Sequence, residues 1–479
     1  MPRSTALAAI AMFLLAAPAT ASWEAPERLP GAGWSPRPAI NAAGDAAVLY
    51  TVPSGSPVGG AGLAVTYAPS GRGFLPPERV ADHSPYFSDL VVSGDGDAFV
   101  IAEGGGGHQF AVRPAGGRFG PLETLPGVGR FADVAAGPRG EAVITGTLRD
   151  GGARIWRRSR RGRFTDTGVL IPTHTRVLAT FAGERILLAW GDGRVRVAEL
   201  RDGGLTEPQV VAQGSADGLE GTARGDALLR FSTVDPATRS IHRRTAHAPP
   251  GAPFAEVAPR TALAQDGTLA HRVGEDGPIE VRAPGAPPQL VEVPADMRPG
   301  PAMPFVSFNA ESRIELFGAE PTAQFGPALT RFAQRRPDGS WCPSRLWDVR
   351  PLMGSGARTV AAGARGLAAW ARNGTSDMFV TRYRPGDGCS PPLAAPRGLR
   401  ASRSGTRLVV RWRAVEGAFR YRIRARLASG RLLRRESRSA RPEALLAGVR
   451  RGARVTVTVR AVGRDDRAGS AATLRVPAR

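Results

Sequence analysis

Short apolar runs recur along most of the chain, and each opens directly after a tight turn. Gly44-Asp45 precedes the run at 46–50, Gly96-Asp97 that at 98–102, and Gly140-Glu141 that at 142–145. Gly183-Glu184, Gly225-Asp226 and Gly366 precede the runs at 186–190, 227–231 and 367–370. Weaker copies stand at Asp266-Gly267 and Ser312, which makes eight units. A run this short, bounded by turn residues, predicts a buried strand rather than a helix. A second marker lies between these runs: Ser70-Gly71-Arg72-Gly73-Phe74, Ala115-Gly116-Gly117-Arg118-Phe119 and Arg161-Gly162-Arg163-Phe164. The three phenylalanines are spaced 45 residues apart, and a short stretch ending in an aliphatic residue follows, as at Val80 and Leu125.

A period in the forties with several strands per unit is what radially repeated β-sheets require, because each sheet must bury both faces against its neighbours. The repeat length and strand layout resemble those of a β-propeller over residues 23–391, although the Trp-Asp dipeptide of one propeller class is not present at the repeat ends. The expected fold class is all-β, a seven- or eight-bladed β-propeller with eight preferred. The sixth unit, residues 254–290, is the shortest and expected to be degenerate. Residues 23–29 carry the outer-strand pattern with no preceding unit, so they are expected to pair with the last blade near 378–384 as a clasp, with residues 389–393 competing for that place.

From Pro396 the pattern changes to longer alternating strands: Leu399, Leu408, Val410, Trp412, Tyr421, Ile423, then Val449, Gly452, Val455, Val457, Val459 and Ala461. The Pro start, Trp412, Tyr421 and the later alternating strand resemble a fibronectin type III β-sandwich. One departure is Val455 where that family has tyrosine, with Val449 and Arg451 before it, so the tyrosine-corner hydrogen bond is expected to be absent. Residues i and i+2 share one side of a strand. With Tyr421, Ile423, Ala425 and Leu427 inward, Arg420, Arg422, Arg424 and Arg426 are expected to face out; with Val455, Val457 and Val459 inward, Arg454 and Arg460 do too. The resemblance implies that both strands share one sheet. Arg422, Arg424, Arg426, Arg454 and Arg460 are therefore the candidate anion-binding residues, a ladder of guanidinium forks suited to phosphate, sulfate or carboxylate.

Charge sharpens this picture. All 64 basic residues are arginine, against 42 acidic ones, for a net charge of +22. Residues 394–479 hold 23 Arg against 5 acidic residues, a surplus of 18, which leaves only +4 for the rest of the 479-residue chain. Two explanations compete: arginine favoured by GC-rich codons at exposed positions, or a face selected to hold a polyanion. Five engaged arginines on DNA would give a log K against log salt slope near ~4 or 5. Aromatic residues do not interleave with these arginines, which argues against sequence-specific nucleic-acid recognition.

Arg3, the apolar run at 6–17 and Ala19-Thr20-Ala21 have the form of a signal peptide cleaved after Ala21, implying a secreted, extracellular or periplasmic protein. No later run reaches the ~18 apolar residues of a transmembrane helix. Export makes a Cys342–Cys389 disulfide the expectation, worth roughly 4 kcal/mol through its closed loop. Arg224-Gly225-Asp226 reads as the repeat's turn rather than an adhesion motif, and Gly104–Gly107 as a hairpin tip rather than a phosphate cradle. The six histidines are scattered and read as surface or turn residues, and no metal site and no cofactor is expected. The expected domains are a signal peptide at 1–21, a propeller at 22–391, a linker at 392–395 and the fibronectin type III domain at 396–479. The expected function is an exported non-catalytic binding or scaffold protein. Its propeller would serve as a platform for a ligand or protein, and its basic domain would meet an anionic polymer or cell-surface glycan. The alternative is a secreted glycan-active enzyme of sialidase-like propeller type.

Overall fold

The computed structural model describes residues 22–23, 27–53, 62–82, 87–104, 107–160, 162–274, 277–293, 305–308, 314–320, 329–335, 341–345, 358–362, 365–371 and 377–384, then 393–478 apart from 419, 439–441, 451 and 464–467. The segment expected to be a signal peptide lies outside these residues, as does the expected Cys342–Cys389 bridge. Among the described residues there is no helix, and the strands form successive antiparallel sheets.

The first sheet runs Trp34–Ile40, Ala46–Val52, Gly62–Ala68, Glu78–Ala81 in that spatial order. Among the described residues seven more sheets follow along the chain, six built from consecutive strands in the same up-and-down order and the last completed by strands from the start of the chain. Six of the turn markers directly precede the second strand of a sheet, Gly366 lies at the start of the second strand Arg365–Ala371, and Ser312 lies outside the described residues. The phenylalanine markers fall between third and fourth strands, with Phe164 opening the fourth. First strands of neighbouring sheets lie against one another from the first sheet through the fifth, between the sixth and seventh, and between the last and the first, where Arg358–Ala362 lies against Trp34–Ile40. This arrangement is that of a β-propeller.

Period-two alternation explains how each sheet serves two interfaces. On Ala46–Val52, Ala47 and Leu49 pack with Leu90, Val100 and Ala102 of the second sheet. The intervening Val48 and Tyr50 pack with Leu367, Ala369, Met378 and Val380 of the last. Phe99 and Ile101 likewise meet Val134, Ile144 and Trp156 of the third sheet, and Val143 and Ile155 meet Leu188 and Trp190 of the fourth. The second strands are therefore apolar on both sides, which is why the sequence shows them as continuous runs rather than alternations.

The turns before these strands share one geometry. In the first, second, fifth and sixth sheets the residue just after strand one, Asn41, Ser93, Thr222 or Ala264, accepts at its carbonyl from the N–H of the glycine three places on. It also donates its own N–H to the carbonyl four places on. The glycines at this place have φ of 98°, 90°, 103° and 86° at Gly44, Gly96, Gly225 and Gly267. The residue after the glycine then ties this turn to the next: Asp45 Oδ1 accepts from Ser70 N (2.9 Å) and Asp97 Oδ1 from Ala115 N (2.7 Å). In the fifth sheet Pro250 stands at the position of Ser70 and Ala115 and has no N–H to give. Asp226 accordingly keeps Oδ2 buried without a partner, while Oδ1 meets His247 Nε2 at 3.2 Å. Asp226 is 4% exposed, so the Arg-Gly-Asp tripeptide is folded into a turn and its carboxylate is not presented.

Closure follows the expected clasp. Ser22–Trp23 pairs with Tyr383 and Arg384, and Glu27–Ala32 with Asp377, Phe379 and Val380, so the chain's first strands complete the last sheet. Leu29 is buried in the core shared by the first and last sheets, and Arg28 pairs with Asp377. The sixth sheet is the thinnest, with strands of 2, 4, 4 and 3 residues.

Residues 393–478 form a separate pair of sheets around one core. Arg400–Ser404, Arg407–Arg411 and Glu443–Ala447 make one; Leu432–Arg438, Arg420–Leu427, Val455–Val462 and Ala468–Val476 make the other, in that order. Trp412 packs edge-on against Tyr421 with ring centroids 5.0 Å apart. The Tyr421 hydroxyl accepts from Val415 N at 2.8 Å, which ties the approach loop to the strand it feeds.

Candidate anion-binding face

The four-stranded sheet sets its arginines by register. Tyr421, Ile423 and Ala425 are buried in the sandwich core, as are Val455, Val457 and Val459, so the residues between them point away from it. Arg424, Arg426, Arg454 and Arg460 are exposed and Arg422 is half-buried, as alternation predicts. Arg420 departs from it. It is 9% exposed and donates to Glu436 Oε2 at 2.6 Å: the neighbouring Leu432–Arg438 strand sets that carboxylate opposite Arg422, one diagonal step from Arg420. Arg422 shares the same glutamate at 3.6 Å.

Register also shows what sequence spacing does not. Arg422 stands directly opposite Arg460, and Arg424 directly opposite Arg434. Arg426 faces Thr456, which in turn faces Arg475. Arg434 and Arg475 are exposed on this face and escaped the sequence reading, which had no pairing partner for their strands. Like charges at directly opposed positions are unfavourable. The face carries Thr456, Thr458 and Thr473 beside these arginines, and Glu436 is the acid that the described residues place there. The other sheet has one such rung: Arg400 stands directly opposite Arg411, which is paired with Glu443 at 3.2 Å, and Leu445 is exposed on the Glu443 strand.

A second charged cluster sits where the first strands of the early sheets meet. Arg37, Asp89 and Asp133 occupy the same register in three successive sheets, opposite Leu49, Ile101 and Thr145. The Phe87 ring gathers the Arg37 and Arg176 guanidinium groups at 5.8 and 5.3 Å and the His108 ring at 6.1 Å. Thr145 and Thr147 donate to the carbonyls of Val177 and Thr175 and so hold the segment that carries Arg176. Burial pushes the Asp133 carboxyl up to about 6, with Asp89 adding to the rise, against the pull of Arg176 and the Ala179 N–H. Both Asp133 oxygens are committed, one to Arg176 (2.5 Å) and one to Ala179 N (2.8 Å), which makes it a tie between the third and fourth sheets.

His108 differs from the surface histidine expected of it. It is fully buried, both ring nitrogens lack a partner, and burial lowers its affinity for a proton. Among the described residues no cluster of metal-ligating side chains forms, and no helix is long and apolar enough to cross a membrane.

No protein-family profile matches the chain, and no curated protein does. Among solved structures, the fn3 domain of human collagen alpha-1(XX) is 31% identical over 19% of this chain and 88% of that one, with a TM-score of 0.16. TolB from Acinetobacter baumannii is 12% identical over 46% of this chain and 57% of that one, with a TM-score of 0.31. The acylaminoacyl peptidase of Pyrococcus horikoshii is 12% identical over 70% of this chain and 56% of that one, with a TM-score of 0.39. The chain thus spans under three-fifths of the length of the latter two.

Proposed function

We propose that this is an exported, non-catalytic binding protein. An eight-bladed propeller over residues 22–391 is joined through residues 392–395 to a basic fibronectin type III domain at 396–479, which holds it on an anionic surface polymer. The observation that carries this reading is the opposition of Arg422 to Arg460 and Arg424 to Arg434 on one exposed sheet face. Codon preference explains why a basic residue is arginine, but not why like charges share rungs that cost stability when no counter-anion is present. Guanidinium groups held in a row lower that cost by gripping an anion bidentately. Export finds support in the fold, since cleavage after Ala21 would leave the clasp strand Ser22–Trp23 intact.

The test compares the full chain with its Arg424→Gln, Arg426→Gln, Arg460→Gln variant on dextran sulfate resin over a salt gradient. Retention at low salt, with the variant eluting at clearly lower salt and an unchanged melting profile, supports the reading. Flow-through of the parent, or identical elution of both, overturns it.

A further inference from the structure

The spacing of the arginines names the kind of polyanion, and this inference rests on the anion-binding reading above. Outward side chains on one strand recur every second residue, about 6.6–6.8 Å apart. Successive rungs of the face therefore present Arg422 with Arg460, then Arg424 with Arg434, then Arg426 with Arg475 beyond Thr456, and finally Arg454 just ahead of Val455–Val462. Each rung holds at least one guanidinium, and the four together span about 20 Å. Of the four rungs Glu436 touches the first, through Arg422, and it also pairs with Arg420 just before that rung.

A phosphodiester chain with six backbone bonds between phosphorus atoms extends about 7 Å per phosphate, which matches the rung spacing. Guanidinium forks suit its phosphates, and the hydroxyls of Thr456, Thr458 and Thr473 can donate to its ester oxygens. Among the described residues, the face offers no aromatic ring on which a base could stack. A rigid duplex wraps its phosphates round a cylinder and can bring few of them onto one flat sheet. We infer that the face binds a single flexible phosphodiester chain laid along the Arg420–Leu427 strand, one phosphate to a rung and four in all, without reading the groups between them.

Fluorescence anisotropy on the full chain tests this with labelled abasic deoxyribose phosphate oligomers of two, four and eight phosphates. Matched oligo(dT), glycerol phosphate oligomers, a DNA duplex and dextran sulfate complete the set. The expected result is a gain of tenfold or more from two to four phosphates and only a few-fold from four to eight. Abasic and thymine chains should bind alike, with a salt slope of about −3 for four phosphates on a single strand. In the Arg424→Gln, Arg434→Gln, Arg426→Gln, Arg475→Gln variant, which empties the two middle rungs, that slope should fall by about half. Preference for glycerol phosphate over deoxyribose chains would point to a wall polymer as the natural source, and the converse to nucleic acid; either supports the inference. Steady gain with length, equal binding per phosphate by the duplex, or tighter binding of thymine than abasic chains overturns it. Binding of dextran sulfate but of no phosphodiester overturns this inference and leaves the anion-binding reading standing, whereas binding of neither overturns both.

Discussion

Arg158 shows how a single side chain joins neighbouring sheets. Its guanidinium donates to Asp97 Oδ2 (2.7 Å), to Gly140 O (2.7 Å) and to Gly162 O (2.8 Å), with both partners of the ion pair about 5% exposed. Arg113, at the same place one sheet earlier, reaches Glu78 at 3.5 Å and lies 3.8 Å over the Tyr67 ring. Because removing one member of such a pair strands a buried charge, Arg158→Met should destabilise the propeller by about 3–5 kcal/mol. The double variant Arg158→Met, Asp97→Ala should recover part of that loss, and chemical denaturation followed by tryptophan fluorescence measures both. His108 gives a second test. Its folded-state proton affinity lies below the ordinary 6.5, so its stabilising contribution is complete above that pH and is lost as the pH falls below it. Glu103 opposes this by favouring the charged ring, and Asp133 acts with opposite sign, losing stability as pH rises toward 6. Replacing the imidazole in His108→Phe should flatten the decline in melting temperature between pH 6.5 and 5. An unchanged slope would assign that decline to other groups.

At the level of elements, the second strands of the first five sheets were legible because they are apolar on both sides and announced by their own turns, whereas Leu269–Arg272 of the sixth is short and half polar. Outer strands such as Phe164–Ile171, half-exposed with a bulge between Arg154 and Trp156, carry no such pattern. Arg420 was misjudged for a related reason: alternation fixes the side of a strand but not which neighbour lies beside it, and Glu436 belongs to a strand whose pairing no local signal specifies. The like-charged rungs were invisible until register was known, while the five candidate arginines followed from alternation alone. The turn geometry makes its own prediction. Gly225 has φ of 103°, a region closed to residues with a Cβ, and its Arg224 donates to Asp266 O at 2.5 Å in the next sheet. Gly225→Ala should therefore cost about 1–2 kcal/mol in the same denaturation experiment. Arg224→Ala, on the exposed side of that turn, should cost well under half as much.

Over the whole molecule, charge and closure divide between two bodies. The near-neutral repeat region buries both faces of its sheets, and its ends are joined by backbone hydrogen bonds from Glu27–Ala32 to Asp377–Arg384. Without that strand the last sheet would present a row of unpaired N–H and C=O groups, and Leu29 would leave an apolar hole between the first and last sheets. The clasp thus guards an edge as well as adding contacts, and its loss should show as association rather than as local fraying. A chain beginning at residue 33 is expected to elute as soluble oligomers or aggregate at concentrations where the chain beginning at Ser22 is monomeric, with static light scattering as the measurement. A synthetic peptide of residues 22–32 added during refolding should restore the monomer, since it supplies the missing strand in trans. Leu29→Arg in that peptide should abolish rescue, because the charge would enter the core that Leu29 closes. Rescue by the substituted peptide would mean that backbone pairing alone seals the ring.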